Sequence, residues 1–133
     1  RRELPDKDLD SPFSTQWTSG STASLQIRGA ADGTVWARPR YPLVAGETVT
    51  PVVQVMCIAD IANGVGAVLD PARWRFLNTD LVTHLHRLPR GEWIGVRANA
   101  SIGPDGVGTT SGTLFDESGE IGNTLQSLLI EAV

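Results

Sequence analysis

A single carboxylate, Asp60, stands within the otherwise apolar segment "VMCIADIANGVG" at residues 55–66. An ionised carboxylate removed from water without a partner is strongly destabilised. Poor solvation also makes a carboxylate a stronger base, and a base next to a water molecule can accept its proton. The alternative is a capping or packing Asp that is held by a backbone donor. From this residue alone both interpretations remain open.

Two side-chain amides are further candidates for polar chemistry. Gln126 shares a predicted strand face with Leu128 and Ile130, so its amide is expected to be buried and must find hydrogen-bond partners. A carboxylate accepts what an amide donates, although Gln126 can equally bond only to neighbouring backbone. Asn78 precedes a regular alternation, which is typical of a residue that begins a strand or a turn.

The two histidines, His84 and His86, alternate on one strand face, a spacing compatible with a metal pair or a general base. The chain has no other histidine, and a two-His metal site would need carboxylates such as Asp80 nearby. Structural histidines, with Arg87 at the strand end, are therefore the favoured interpretation. Neither a metal nor a redox cofactor is expected.

The elements that must position these residues follow from periodicity and turn signals. Residues 1–16 are charged, contain proline and show no period, which predicts a linker or arm. Thr50 and Pro51 are suited to a helix start, and the following apolar run predicts a buried helix that ends near Gly64 or Gly66. Strands are predicted at 21–30, 34–44, 78–87, 91–102, 106–115 and 120–130. The short turns between the last four predict a meander of antiparallel neighbours.

Composition limits the classes of protein. With 133 residues, 41% hydrophobic and 20% charged, the chain is sized for one ordinary globular domain, predicted at residues 17–133. A net charge of −4 argues against nucleic acid as a partner. No apolar run reaches membrane-spanning length. The single Cys57 lies in an apolar context, which favours a reduced thiol and a cytoplasmic location.

Two stretches, "FLNTDLVTHLHRLPRGEW" and "GPDGVGTTSGTLFDESGEIGNTLQSLL", resemble the C-terminal half of the acyl-CoA thioesterase II family. The resemblance extends from about residue 33 to the end and is strongest after Phe76. It implies an α+β hotdog fold, in which a curved antiparallel sheet wraps around one long central helix. It also implies hydrolysis of an acyl-CoA thioester to free fatty acid and coenzyme A.

The family site matches Asp60 in "IADIANG", Asn78 in "FLNTD" and Gln126 in "TLQSL". Asn78 stands where other members of the family also have a hydroxyl residue. The resemblance implies that this trio holds and activates a water molecule. Coenzyme A carries phosphates, for which the candidate contacts are Arg73, Arg75, Arg87 and Arg90.

Family members carry two hotdogs in one chain, whereas this sequence corresponds to one. The resemblance therefore implies a second hotdog as partner, either another copy of this chain or a separate N-terminal half. Two rival functions remain. One is a catalytically silent half that binds acyl groups or serves assembly. The other is an acyl-thioester hydratase or dehydratase, which would need a catalytic histidine near the central helix.

Overall fold

The computed structural model describes residues 20–133, without the side chain of Ser21. The predicted arm at residues 1–16, and the first residues of the predicted domain, lie outside this part of the chain. A short 3-10 turn, Gly20–Ser24, precedes the first strand. The other elements, in chain order, are β1 (Leu25–Gly29), β2 (Val35–Pro39), α1 (Pro51–Ala59), α2 (Ala62–Val65), β3 (Trp74–Asn78), β4 (Val82–Leu85), β5 (Ile94–Ile102), β6 (Val107–Asp116) and β7 (Gly119–Ala132).

Within residues 20–133 the strands form one seven-stranded antiparallel sheet. The order across it is β1-β2-β5-β6-β7-β3, and β4 also pairs with β7. The meander predicted for the last four strands holds for β5, β6 and β7. It is wrong for β4, which pairs with β7 rather than with β5, since the long β7 has room for both β3 and β4 along one edge.

No strand was predicted directly before residue 78, but residues Trp74–Asn78 form the edge strand β3. Its burial does not alternate in a simple way, because only Phe76 is buried and Trp74, Arg75 and Leu77 are exposed. The strand exists because it pairs over its full length with β7, from Trp74 opposite Ala132 to Asn78 opposite Leu128.

The central helix begins as predicted, with the Thr50 hydroxyl accepting a bond from the Val53 N–H and Pro51 in the first turn. It ends earlier than predicted, at Ala59, and a separate short helix follows after Ile61. Gly66 ends this second helix close to β5, where an added Cβ would lie 3.1 Å from backbone atoms of Ala98 and Asn99. The helical segment is therefore broken at Asp60.

One face of the sheet carries the main core. Val55, Ile58 and Ala59 of α1 are buried against strand residues such as Ile94 and Leu114. The opposite side of α1 is open, with Val52 48% and Met56 37% exposed. The prediction of a helix buried on all sides is thus wrong for the chain alone, because the sheet covers only one side of it.

The outer face of the sheet is apolar in two places. Trp36, Trp93 and Phe115 form a buried cluster, and the guanidinium groups of Arg28 and Arg38 lie 4.5 and 5.0 Å from the ring centroid of Trp93. A second patch remains exposed along paired positions of β3, β4, β6 and β7. Its residues are Leu77, Val82, Val107, Leu125 and Leu129.

Candidate functional site

Asp60 occupies the break between the two helices. It caps the C-terminal end of α1 with φ −64° and ψ −22°, and its N–H donates to the Met56 carbonyl. The side chain is exposed, on the same open side of α1 as Val52 and Met56, which precede it at four-residue spacing. The expectation of a desolvated carboxylate is therefore wrong for this chain alone, because the break turns Asp60 away from the core.

Asn78 reaches Asp60 from the end of the edge strand β3. Its Nδ2 donates to Oδ1 of Asp60 at 3.2 Å. Its own Oδ1 accepts a hydrogen bond from Nδ2 of Asn63 at 3.4 Å. The acceptor role of Oδ1 fixes the orientation of the Asn78 amide, so that its NH₂ group faces the carboxylate.

Asn63 is a site residue that the sequence reasoning missed. It lies in α2, three residues after Asp60, in the same apolar "IADIANG" segment. The sequence did contain a signal for Asn63, because it is a polar residue in an apolar segment and lies at helical spacing from the Asp60 carboxylate.

Gln126 approaches the same point from β7. Its side chain is fully buried on the inner face, together with Leu128 and Ile130, as predicted. Nε2 donates to the main-chain carbonyl of Asp60 at 3.3 Å, not to its carboxylate. Oε1 has no hydrogen-bond partner among the described residues. Gln126 therefore contacts the backbone at the helix break.

The sheet register explains how these residues meet. Asn78 is paired with Leu128 on β7, two residues from Gln126, so both amides lie on the inner face as diagonal neighbours. Asp60, at the helix break, accepts a hydrogen bond from each of these two amides. The structure brings together the three residues that the sequence indicated, with Asn63 as a fourth.

The two histidines are not part of this arrangement. His84 lies opposite Asn123 on β7 and is exposed, as is His86. The alternation of β7 places Asn123 on the outer face and Gln126 on the inner face. Among residues 20–133 no group of three or more His, Cys, Asp or Glu side chains could hold a metal ion.

Arg87 is paired within the chain. Its Nη1 and Nη2 donate to the two carboxylate oxygens of Asp116 at 2.5 and 2.7 Å. This bidentate pair weakens the case for Arg87 as a coenzyme A contact, because its guanidinium already binds an anionic group. The other three candidates, Arg73, Arg75 and Arg90, have exposed side chains, and within residues 20–133 none of them forms a hydrogen bond or ion pair with Asp60.

Asp116 is fully buried at the end of β6, and besides the bonds from Arg87 it accepts three hydrogen bonds from main-chain N–H groups. Burial opposes its ionisation, but the hydrogen bonds from Arg87 and from the main-chain N–H groups of Arg90 and Ser118 prevail and lower its pKa to about 2. The Gly119 N–H also donates to it. The same contact raises the pKa of Arg87. This ion pair ties the β4–β5 connection to the β6–β7 turn.

Comparison with models of known protein families shows which family the chain belongs to. Residues 3–130 match the model of the acyl-CoA thioesterase C-terminal domain. The chain belongs to this family, as the sequence resemblance indicated. Among curated proteins, none matches the chain.

Solved structures support the fold. A thioesterase from Haemophilus influenzae is 16% identical with a TM-score of 0.62, over 88% of this chain and 87% of that one. A Bacillus halodurans protein crystallised with CoA is 16% identical with a TM-score of 0.57, over 80% and 72%. The tesB protein of Mycobacterium avium subs paratuberculosis is 15% identical with a TM-score of 0.59, over 98% of this chain and 56% of that one. The fold is the predicted hotdog fold.

No helix among residues 20–133 is both long enough and apolar enough to cross a membrane.

Proposed function

We propose that this chain is the catalytic C-terminal hotdog of an acyl-CoA thioesterase, which hydrolyses an acyl-CoA thioester to a free fatty acid and coenzyme A. The observation that carries the proposal is the convergence of Asp60, Asn78 and Gln126, from a helix break and two strands, on one point. Family membership supplies the substrate class.

Asp60 is the proposed general base. Asn78 occupies Oδ1 of its carboxylate, while Oδ2 accepts no hydrogen bond from the described residues and is available to a water molecule. Transfer of a proton from that water to Asp60 lets the hydroxide oxygen attack the thioester carbonyl. The tetrahedral oxyanion then collapses, the C–S bond breaks, and the leaving coenzyme A thiolate takes up the proton that Asp60 accepted, which restores the carboxylate.

Asn78 and Gln126 orient Asp60 in this scheme. Asn63 holds the amide of Asn78 from behind, so that its NH₂ group remains on the carboxylate. Gln126 holds the main-chain carbonyl of Asp60, which fixes the direction in which the side chain leaves the helix break. A group held in place before the reaction needs no reorganisation at the transition state.

A second hotdog is part of the proposal. The open side of α1 presents Val52 and Met56 beside Asp60, and β3 uses only one of its edges for pairing with β7 among the described residues. Exposed apolar surface and a free strand edge are both typical of interfaces. A partner hotdog over this side would bury the acyl chain and exclude bulk water from Asp60. The partner is either a second copy of this chain or an N-terminal half.

The test is hydrolysis of acyl-CoA substrates of increasing chain length by the full chain, with release of the free thiol as the readout. The expected result is thiol release that depends on Asp60. An enoyl-CoA is the comparison substrate, because the rival hydratase would add water to its double bond. We expect no hydration, since His84 and His86 are exposed away from Asp60. Hydration without thiol release would refute the thioesterase proposal.

A further inference from the structure

The oxygen of the Gln126 amide is the least explained group of the site. Only an N–H group can donate to a carbonyl, so the bond to the Asp60 main chain identifies which end of the amide is Nε2. Oε1 then points elsewhere, in a side chain that is fully buried, and no described residue donates to it. A buried acceptor without a donor is destabilising, so a partner is needed.

Thr110 stands directly opposite Gln126 in the register of β6 and β7. It is also fully buried, and its hydroxyl oxygen has no hydrogen-bond partner among residues 20–133. A hydroxyl can donate to an amide oxygen, and directly opposite side chains on one sheet face are close enough to interact. The two unsatisfied groups are therefore chemically complementary neighbours.

The other positions directly adjacent to Thr110 on this face offer no polar side chain to its hydroxyl, and the hydroxyl of the diagonal neighbour Thr124 already donates to the Val82 carbonyl. Gly108 and Gly112 lie two residues away on β6, and Ala100 lies opposite on β5. None of them has a polar side chain or fills much space. Gln126 is thus the one polar side chain among the four positions directly adjacent to Thr110.

We propose that Thr110 is a positioning residue of the site: a rotation of its side chain lets its hydroxyl donate to Oε1 of Gln126, and this bond holds the amide with Nε2 on the Asp60 carbonyl. This inference rests on the proposed thioesterase function for its kinetic consequences. Loss of the hydroxyl frees the amide to rotate, and the helix break at Asp60 loses its fixed contact with β7.

The chain offers a matched control. Thr34 is also fully buried, and its hydroxyl also lacks a hydrogen-bond partner among the described residues. It differs in position, because it precedes β2 and does not lie opposite Gln126 in the sheet. Valine replaces either threonine with nearly the same shape and removes only the hydroxyl. If both hydroxyls are merely unsatisfied groups, Thr110→Val and Thr34→Val should behave alike, with unchanged or raised melting temperature and unchanged activity.

We expect a different outcome for the two variants. Thr110→Val should lower kcat by about tenfold or more with little change in KM, the effect of a slightly misplaced catalytic group. Thr110→Ser keeps the hydroxyl and should retain most of the turnover, while Thr34→Val should match the unmodified chain. If Thr110→Val does not fold, Thr110→Ala against Thr34→Ala replaces the comparison. Unchanged kcat in Thr110→Val, or equal losses in Thr110→Ser, would overturn the proposal.

A second readout does not depend on activity. The NMR signals of the Gln126 side-chain NH₂ group report its orientation and hydrogen bonding. They should shift or broaden in Thr110→Val and remain in place in Thr34→Val and Thr110→Ser. Unaffected signals in Thr110→Val would exclude a link between the two side chains. If the unmodified chain hydrolyses no acyl-CoA, the proposed function fails, and the NMR comparison still decides whether Thr110 holds Gln126.

Discussion

Replacement of Asp116 with Asn should destabilise the protein more than loss of any exposed carboxylate. The carboxylate is fully buried and accepts hydrogen bonds from both Nη atoms of Arg87 and from three main-chain N–H groups. Asparagine retains a single acceptor oxygen and turns an NH₂ group toward these donors. It also leaves the guanidinium of Arg87 without its counter-charge.

The expected loss in free energy of unfolding for Asp116→Asn follows from two estimates. The pKa of Asp116 falls from 3.8 to about 2 in the folded chain. At about 1.4 kcal/mol per pKa unit this contributes about 2.5 kcal/mol to the free energy of unfolding at neutral pH. Removal of one member of a buried ion pair costs about 3–5 kcal/mol, and the partial exposure of Arg87 favours the lower end. A loss of about 3 kcal/mol should lower Tm by roughly 10–15 °C.

The assay is thermal unfolding followed by circular dichroism at several pH values, with Asp105→Asn as control. Asp105 is an exposed carboxylate in the β5–β6 turn, and its replacement should change stability by less than about 0.5 kcal/mol. Because folding depresses the pKa of Asp116, its contribution is complete near pH 7 and is lost as the pH falls from about 4 toward about 2. The gap between Asp116→Asn and the unmodified chain should narrow over that range. Equal stability of the two at pH 7, or a gap independent of pH, would refute this reasoning.

Two further predictions concern the site and the assembly. Gln126→Ala should lower kcat by roughly tenfold to a hundredfold and change KM less, because Gln126 orients Asp60 rather than binding substrate. An unchanged kcat with a raised KM would instead make Gln126 a substrate-binding residue. Light scattering should give the active species a mass greater than that of one chain, because one side of α1 and one edge of β3 are uncovered in a single copy. A monomer that is fully active at low concentration would contradict this prediction.

Local patterns predicted much of the fold. Alternation and turn residues located β5, β6 and β7, and the Thr50-Pro51 pair located the helix start. The edge strand β3 was missed because its burial does not alternate, and its existence depends on pairing with β7, 50 to 58 positions away. The partner of β4 was predicted wrongly for a similar reason. The short connection from β4 to β5 favoured pairing of these two strands, but β4 pairs with the distant β7 instead.

The site was predictable in membership but not in geometry. The family resemblance named Asp60, Asn78 and Gln126, and the structure places them together. The exposure of Asp60 depends on the helix break, which residue types alone did not indicate. Arg87 was one of four candidate contacts for coenzyme A, because the sequence cannot show that its partner is Asp116, 29 positions away.

The most direct test of Asp60 as the general base is acyl-CoA hydrolysis and thermal unfolding measured on one preparation of Asp60→Asn, with Asp105→Asn beside it. Asparagine keeps an oxygen that can accept the bond from Asn78, and it removes a negative charge from the C-terminal end of a helix, where such a charge is unfavourable. Tm should therefore stay level or rise slightly. Hydrolysis should fall by about a hundredfold or more, the scale of general-base catalysis. An Asp60→Asn protein that hydrolyses acyl-CoA at the unmodified rate would contradict the account.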